Sequence, residues 1–157
     1  MTMSCKEKLE AHLRENAVPF EVHHHPPAYT AQRVAQAEHV SGRTVVKVVM
    51  ALADGKMVML AVPAPKHVSL TKVAEATGAK EVRLAHEDEF GAAFLDCEVG
   101  AMPPLGTLCG IPVYVDTELA QDETIIFNAG THEDTVHMKY ADFERLVKPF
   151  EASLVAG

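Results

Sequence analysis

The chain has 157 residues, 48% of them hydrophobic and 23% charged, with no Trp. That length and balance suit one domain over 1–157 with a sizeable core, and no apolar run is long enough to span a bilayer. The net charge of −8 argues against broad, non-specific nucleic-acid binding.

The charge is uneven along the chain. Arg43 to Arg83 holds seven basic and three acidic residues, whereas Leu84 to the end holds three basic and fourteen acidic ones. A small basic region on an acidic body suits a ligand carrying a few phosphates, unless folding averages the asymmetry out. The start, Met1 to Glu7, carries no hydrophobic signal region, so a cytoplasmic location is expected. Cys5, Cys97 and Cys109 are odd in number, widely spaced and form no CxxC pair. They are expected to be reduced thiols.

Ser4 and Glu7 have capping-box spacing and open a helix to Asn16, with Leu9 and Leu13 on one face. Val18 to His23 alternates like a strand, with Pro19 at its start. His23-His24-His25-Pro26-Pro27 reads as a loop with one functional histidine. Consecutive residues on an extended chain point to opposite sides, which disfavours their converging on one ion and leaves a metal-binding protein using His23 to His25 as the third and lesser reading. No metal and no cofactor are expected. Thr30 can cap a second helix, Ala31 to Val40, which Ser41-Gly42 ends.

Arg43 to Leu52 is the most β-branched and apolar run in the chain. It predicts a central strand covered on both faces. Lys47 lies in its middle, on the same face as Val45 and Val49. Either its side chain snorkels past the strand end, or its ammonium is held short of water for a polar ligand.

Asp54-Gly55 predicts a hairpin to an antiparallel partner, Lys56 to Val62, stopped by Pro63 and Pro65. Ser69 caps a third helix through Thr77, and Gly78 ends it. Glu81 to Leu84 is a short strand, and Glu87 to Leu95 a short helix interrupted at Gly91. Val99 to Gly106 is a rigid loop. In it Gly100 and Gly106 permit close backbone approach and Pro103-Pro104 holds the chain extended. Ile111 to Asp116 and Thr124 to Asn128 are strands. Ala129 to His132 turns tightly into Thr135 to Tyr140, whose alternation predicts a half-exposed strand. Ala141 to Val147 is expected to close the chain as a helix burying Phe143, Leu146 and Val147.

Three features stand together: Lys47 in the Val-rich strand, the Gly100-Ala101-Met102-Pro103-Pro104 loop, and Phe127-Asn128-Ala129-Gly130-Thr131-His132. In order and spacing they resemble the YbaK/ProX-type aminoacyl-tRNA deacylase family, related to the editing domain inserted in bacterial prolyl-tRNA synthetases. The resemblance runs from about Leu9 to Leu146. It implies an α+β fold, with a mixed, mostly antiparallel sheet curled into a small barrel and helices around it. It also implies hydrolysis of the ester joining a wrong amino acid to the terminal adenosine of tRNA.

Carried over residue by residue, Lys47 matches the family's essential lysine, and Gly100 and Pro104 match its Gly-x-x-x-Pro loop. Thr131, after Gly130, stands where the family often places a small hydroxyl residue near the substrate, and both are carried over as substrate-binding candidates. His25 and Thr30 are further pocket candidates. The implied partners are the aminoacyl-tRNA acceptor end and a synthetase that helps deliver it, with no DNA and no membrane.

The chemistry agrees with an activated ester as substrate. Nothing matches a Ser-His-Asp or Cys-His signature. Orientation and charge stabilisation are what such a site must supply, through Lys47 and amides of the Gly100 loop. The substrate's own ribose hydroxyl is the expected means of positioning water. Met50, Leu60 and Met102 are candidate wall residues. The alternative is a non-catalytic module of the same fold that binds aminoacyl-tRNA or a synthetase.

Overall fold

Helix α1 (Cys5–Glu15) begins where the sequence predicts. Ser4 Oγ accepts from the Glu7 amide and the Glu7 carboxylate accepts from the Ser4 amide, at 3.2 and 3.3 Å. Leu9 and Leu13 are fully buried, each contributing about 1.5–3 kcal/mol of burial. The computed structural model describes residues 4–28, 31–37, 44–94, 96–98 and 100–156. Strand β1 (Phe20–His24) and helix α2 (Ala31–Ala37) follow. The expected Thr30 cap, the helix beyond Ala37 and its Ser41-Gly42 stop lie outside the described residues.

β2 (Val46–Ala53) and β3 (Lys56–Pro63) form the predicted hairpin, paired from Val46 with Pro63 to Ala53 with Lys56. Asp54 and Gly55 both take positive φ, 50° and 81°, as a tight two-residue turn requires. α3 (Leu70–Thr77) starts at Ser69, whose Oγ accepts from the Lys72 amide, and stops at Gly78 with φ 74°. β4 (Val82–Leu84) comes next. α4 (Glu87–Phe90) runs into a 3-10 turn over Gly91–Phe94, matching the predicted interruption. β5 (Val113–Asp116), β6 (Thr124–Asn128), β7 (Asp134–Lys139), α5 (Tyr140–Val147) and β8 (Phe150–Ala152) complete the order.

Pairing runs in two sheets. The larger has the order β4-β2-β3-β5-β8 and the smaller β1-β7-β6. β3–β5 and β5–β8 are parallel and the other pairs antiparallel, so the fold is α+β with mixed, mostly antiparallel sheets. A parallel bridge from Val45 to Ile126 joins the sheets. They wrap a shared core containing Leu9, Val46, Met59, Phe127, Val136 and Phe143. The far side of the larger sheet packs Ala51, Leu60, Val62 and Val73. β2 is therefore covered on both faces, as its composition predicts. At the seam, Val45 and Ile126 pack with Ala28, Val34, Ala35 and Ala64.

β7 alternates as predicted, with Val136 and Met138 buried in the core and His137 and Lys139 on the more open face, although Thr135 is buried too. Four expectations are corrected. Tyr140 opens α5 instead of ending that strand, and Leu146 is only partly buried. The chain continues past α5 into β8, an edge strand too short to show a period. Cys5 and Cys97 are not thiols but a disulfide across 92 residues, a separation that hides their proximity in the sequence. Among the described residues, no helix is long and apolar enough to cross a membrane.

Candidate active site

Three loops interlock at one end of the smaller sheet. The Gly130 amide donates to the Ala101 carbonyl at 2.9 Å, and the Glu98 amide donates back to the Gly130 carbonyl at 2.8 Å. Glu98 Oε1 accepts from the His132 amide at 2.9 Å. The His132 carbonyl in turn accepts from the Ala28 amide, and the Glu133 carbonyl from the His25 amide. Gly100 holds φ at 81° beside His132, and a Cβ there would meet Cε1 of the ring at 3.6 Å, an ordinary contact, so it is the backbone conformation that calls for glycine. Ala101, Met102, Pro103 and Pro104 are buried, so the loop is a packed wall and not a surface flap.

Asp134 organises the turn after Gly130. Its carboxylate accepts from Thr131 Oγ1 at 2.7 Å and from Lys6 Nζ at 3.3 Å, and lies 3.0 Å from His24 Nδ1. Thr131 Oγ1 also accepts from the Glu133 and Asp134 amides. Burial works to raise the Asp134 carboxyl, and the bonds from His24, Thr131 and Lys6 overcome it, so it titrates below the ordinary aspartate range. The Thr131 hydroxyl proton is thus committed to holding the turn. His25 is buried, and its Nδ1 lies 2.7 Å from the Pro26 carbonyl. A carbonyl can only accept, so this nitrogen carries the proton.

Lys47 is half-buried on β2, and its Nζ donates to the Lys66 carbonyl at 2.5 Å in the turn after β3. Burial lowers its pKa from the ordinary lysine value. The side chain neither snorkels free nor sinks into the core. The parallel bridge pairs Val45 with Ile126, so both chains run the same way from there, to Lys47 on one and Asn128 on the other. Asn128 leads directly into Ala129-Gly130. Its Oδ1 is enclosed and accepts no hydrogen bond among the described residues.

The structure thus brings Ala101, Gly130, Thr131 and His25 into one hydrogen-bonded cluster, with Gly100 packed beside His132 and Lys47 on the neighbouring strand. Among the described residues, no hydrogen bond joins Lys47 to the cluster, and Thr30 lies outside them. The candidate wall residues divide. Met50 and Met102 share the main core, while Leu60 faces the far side of the larger sheet. A cavity of about 400 Å³ lies between α1 and the segment after Met102, and of the predicted site residues it contains Pro103. Glu98 and Asp134 were missed by sequence reasoning. Asp134 has a local signal, a Thr three residues before it at hydroxyl-turn spacing. Glu98 has none, since its side-chain partner, the His132 amide, is 34 residues away.

Solved structures share this fold. A candidate trans-editing enzyme for prolyl tRNA synthetase superposes with a TM-score of 0.86 at 19% identity, covering all of both chains. A hypothetical protein superposes at 0.87 and 20% identity, covering 96% of this chain and 100% of its own. A scaffold from computational epitope backbone grafting gives 0.85 at 20% identity, with 99% of each chain covered. The class is therefore an α+β domain of the fold these proteins share. The aminoacyl-tRNA editing domain model matches residues 25–146, and the chain belongs to that family. The resemblance drawn from Lys47 and the two glycine loops is borne out at the level of the family.

Proposed function

We propose that this protein is a trans-editing deacylase. It cleaves the ester between a small, wrongly attached amino acid and the terminal adenosine of tRNA, with tRNA-Pro the first candidate. Water adds to the ester carbonyl, the bond to the ribose oxygen breaks, and a free amino acid and ribose hydroxyl result. The observation that carries the reading is the partly desolvated Lys47 ammonium, held by a single carbonyl on the strand beside Asn128. An ammonium has three donors. With one spent on Lys66, two remain among the described residues for a phosphate or the charge developing on the carbonyl oxygen.

The packed Gly100 to Pro104 loop supplies a rigid wall, and Gly130-Thr131 fixes it from behind. Rigidity favours catalysis by orientation, because the reacting ester needs no strong nucleophile. Selection by pocket size discriminates a methylene by only about 1–3 kcal/mol, which suits the removal of residues smaller than the correct one. A synthetase that hands over the mischarged tRNA fits the acidic surface of a chain with net charge −8.

The test is release of amino acid from a panel of mischarged tRNAs by the purified chain. Turnover on at least one small misacylated amino acid, weakening as salt rises, is the expected result. Binding without turnover on every member would replace the deacylase with a non-catalytic recognition module.

A further inference from the structure

We propose a divalent metal site on the outer face of the β1–β7 pair, formed by Glu21, His23 and His137. One ligand atom from each lies within 4.8 Å of the others. The strand register explains the grouping. Glu21 and His23 are two apart on β1 and share a face, and His137 stands directly opposite Glu21 on β7. His137 is thus diagonal to His23, within reach for long side chains. The two imidazoles already stack at 3.8 Å between centroids, and His23 Nε2 lies 3.6 Å from Glu21 Oε2.

Zinc bonds of about 2.0–2.2 Å in tetrahedral geometry place ligand atoms roughly 3.3 Å apart. The His23–Glu21 separation is close to that value. The remaining gap closes by rotation of the exposed Glu21 and His23 side chains toward His137, which also takes His23 out of its ring stack. Two imidazoles and a carboxylate suit zinc and its neighbours, copper(II) and nickel(II), and not magnesium or calcium. Three protein ligands leave a fourth position for water. The histidine run therefore does hold a ligand, but its partners are Glu21 and a residue 114 positions away, not His24 or His25. His24 points across to Asp134 and Glu133 instead. A bound ion fastens β1 to the middle strand just before the chain enters His25. The site stands apart from the editing reading and does not depend on it.

Isothermal titration of the tag-free, chelator-stripped full chain with zinc chloride tests this. One equivalent is expected to bind. His23→Ala and Glu21→Gln are each expected to weaken binding at least about tenfold, the floor set by losing even an outer-shell partner. His24→Ala is expected to leave it unchanged. His137→Ala gives the same loss, and should that variant fail to fold, the exposed His23 position decides. No uptake, or uptake that His23→Ala and Glu21→Gln leave intact, overturns the site. Uptake that instead follows the exposed thiol, lost in Cys109→Ser, overturns it as well.

Discussion

Gly130 lies flat against Cys5. A Cβ built on the glycine would stand 2.6 Å from Cys5 Sγ and 2.7 Å from its Cβ. The glycine also holds φ at 93°, where a side chain is strained, and Cys5 is tethered to Cys97 and cannot give way freely. Gly130→Ala is therefore expected to cost about 2–4 kcal/mol, from the backbone conformation and the overpacking together. Urea unfolding measures it, and a change under about 0.5 kcal/mol would contradict the packing described.

The disulfide closes a loop of 92 residues between α1 and the segment leading to Gly100. Chain entropy alone assigns such a closure about 4–5 kcal/mol, and removal of native disulfides costs about 2–5 kcal/mol. Cys97→Ser is expected to fall in that range. Thermal unfolding with and without a dithiol reductant checks it, since reduction should bring the parent chain down to the variant and leave the variant unmoved.

Asp134 ties pH to stability. Its folded carboxyl titrates below the unfolded value of 3.8, so its contribution is fully present above that value. It is lost as pH falls through the lower folded value. Asp134→Asn should be less stable at neutral pH and show a flatter decline on acidification. Unfolding curves recorded from neutral to strongly acidic pH test the difference in slope. Parallel slopes would remove Asp134 from the account.

Tyr140 works at the other end of the scale. Its hydroxyl is buried and makes no hydrogen bond among the described residues. Burial, with Glu144 and Glu151 nearby, pushes its pKa up to about 12. The unfolded tyrosine loses its proton near 10.0 and the folded one later, so stability falls as pH rises between those values. Tyr140→Phe is expected to be neutral or stabilising, because a buried hydroxyl without a partner costs about 1–3 kcal/mol. It should also remove that alkaline decline. An ultraviolet titration showing every tyrosine ionising near 10 would contradict the burial.

Local chemistry made most of the fold legible. The capping box at Ser4, the Asp54-Gly55 turn and the Ser69 to Gly78 helix depend on neighbours in sequence, and each appears as expected. Lys47 was legible as a charge in an apolar strand. Hidden from the sequence were relations across the chain. The Cys5–Cys97 bridge, the Glu98–His132 bond and the grouping of Glu21 with His137 all arise from strand register and loop packing, which no short window carries. β8 was missed because three residues show no period.

The most direct measurement is the single-turnover rate of ester hydrolysis on a mischarged tRNA by the parent chain and by Lys47→Ala. Removing one preorganised charge donor from a reacting site costs about 10²–10³-fold. The variant is expected to lose at least that much while keeping its unfolding midpoint, since Lys47 makes a single hydrogen bond at the edge of the core. Hydrolysis by Lys47→Ala at the parent rate would contradict the account.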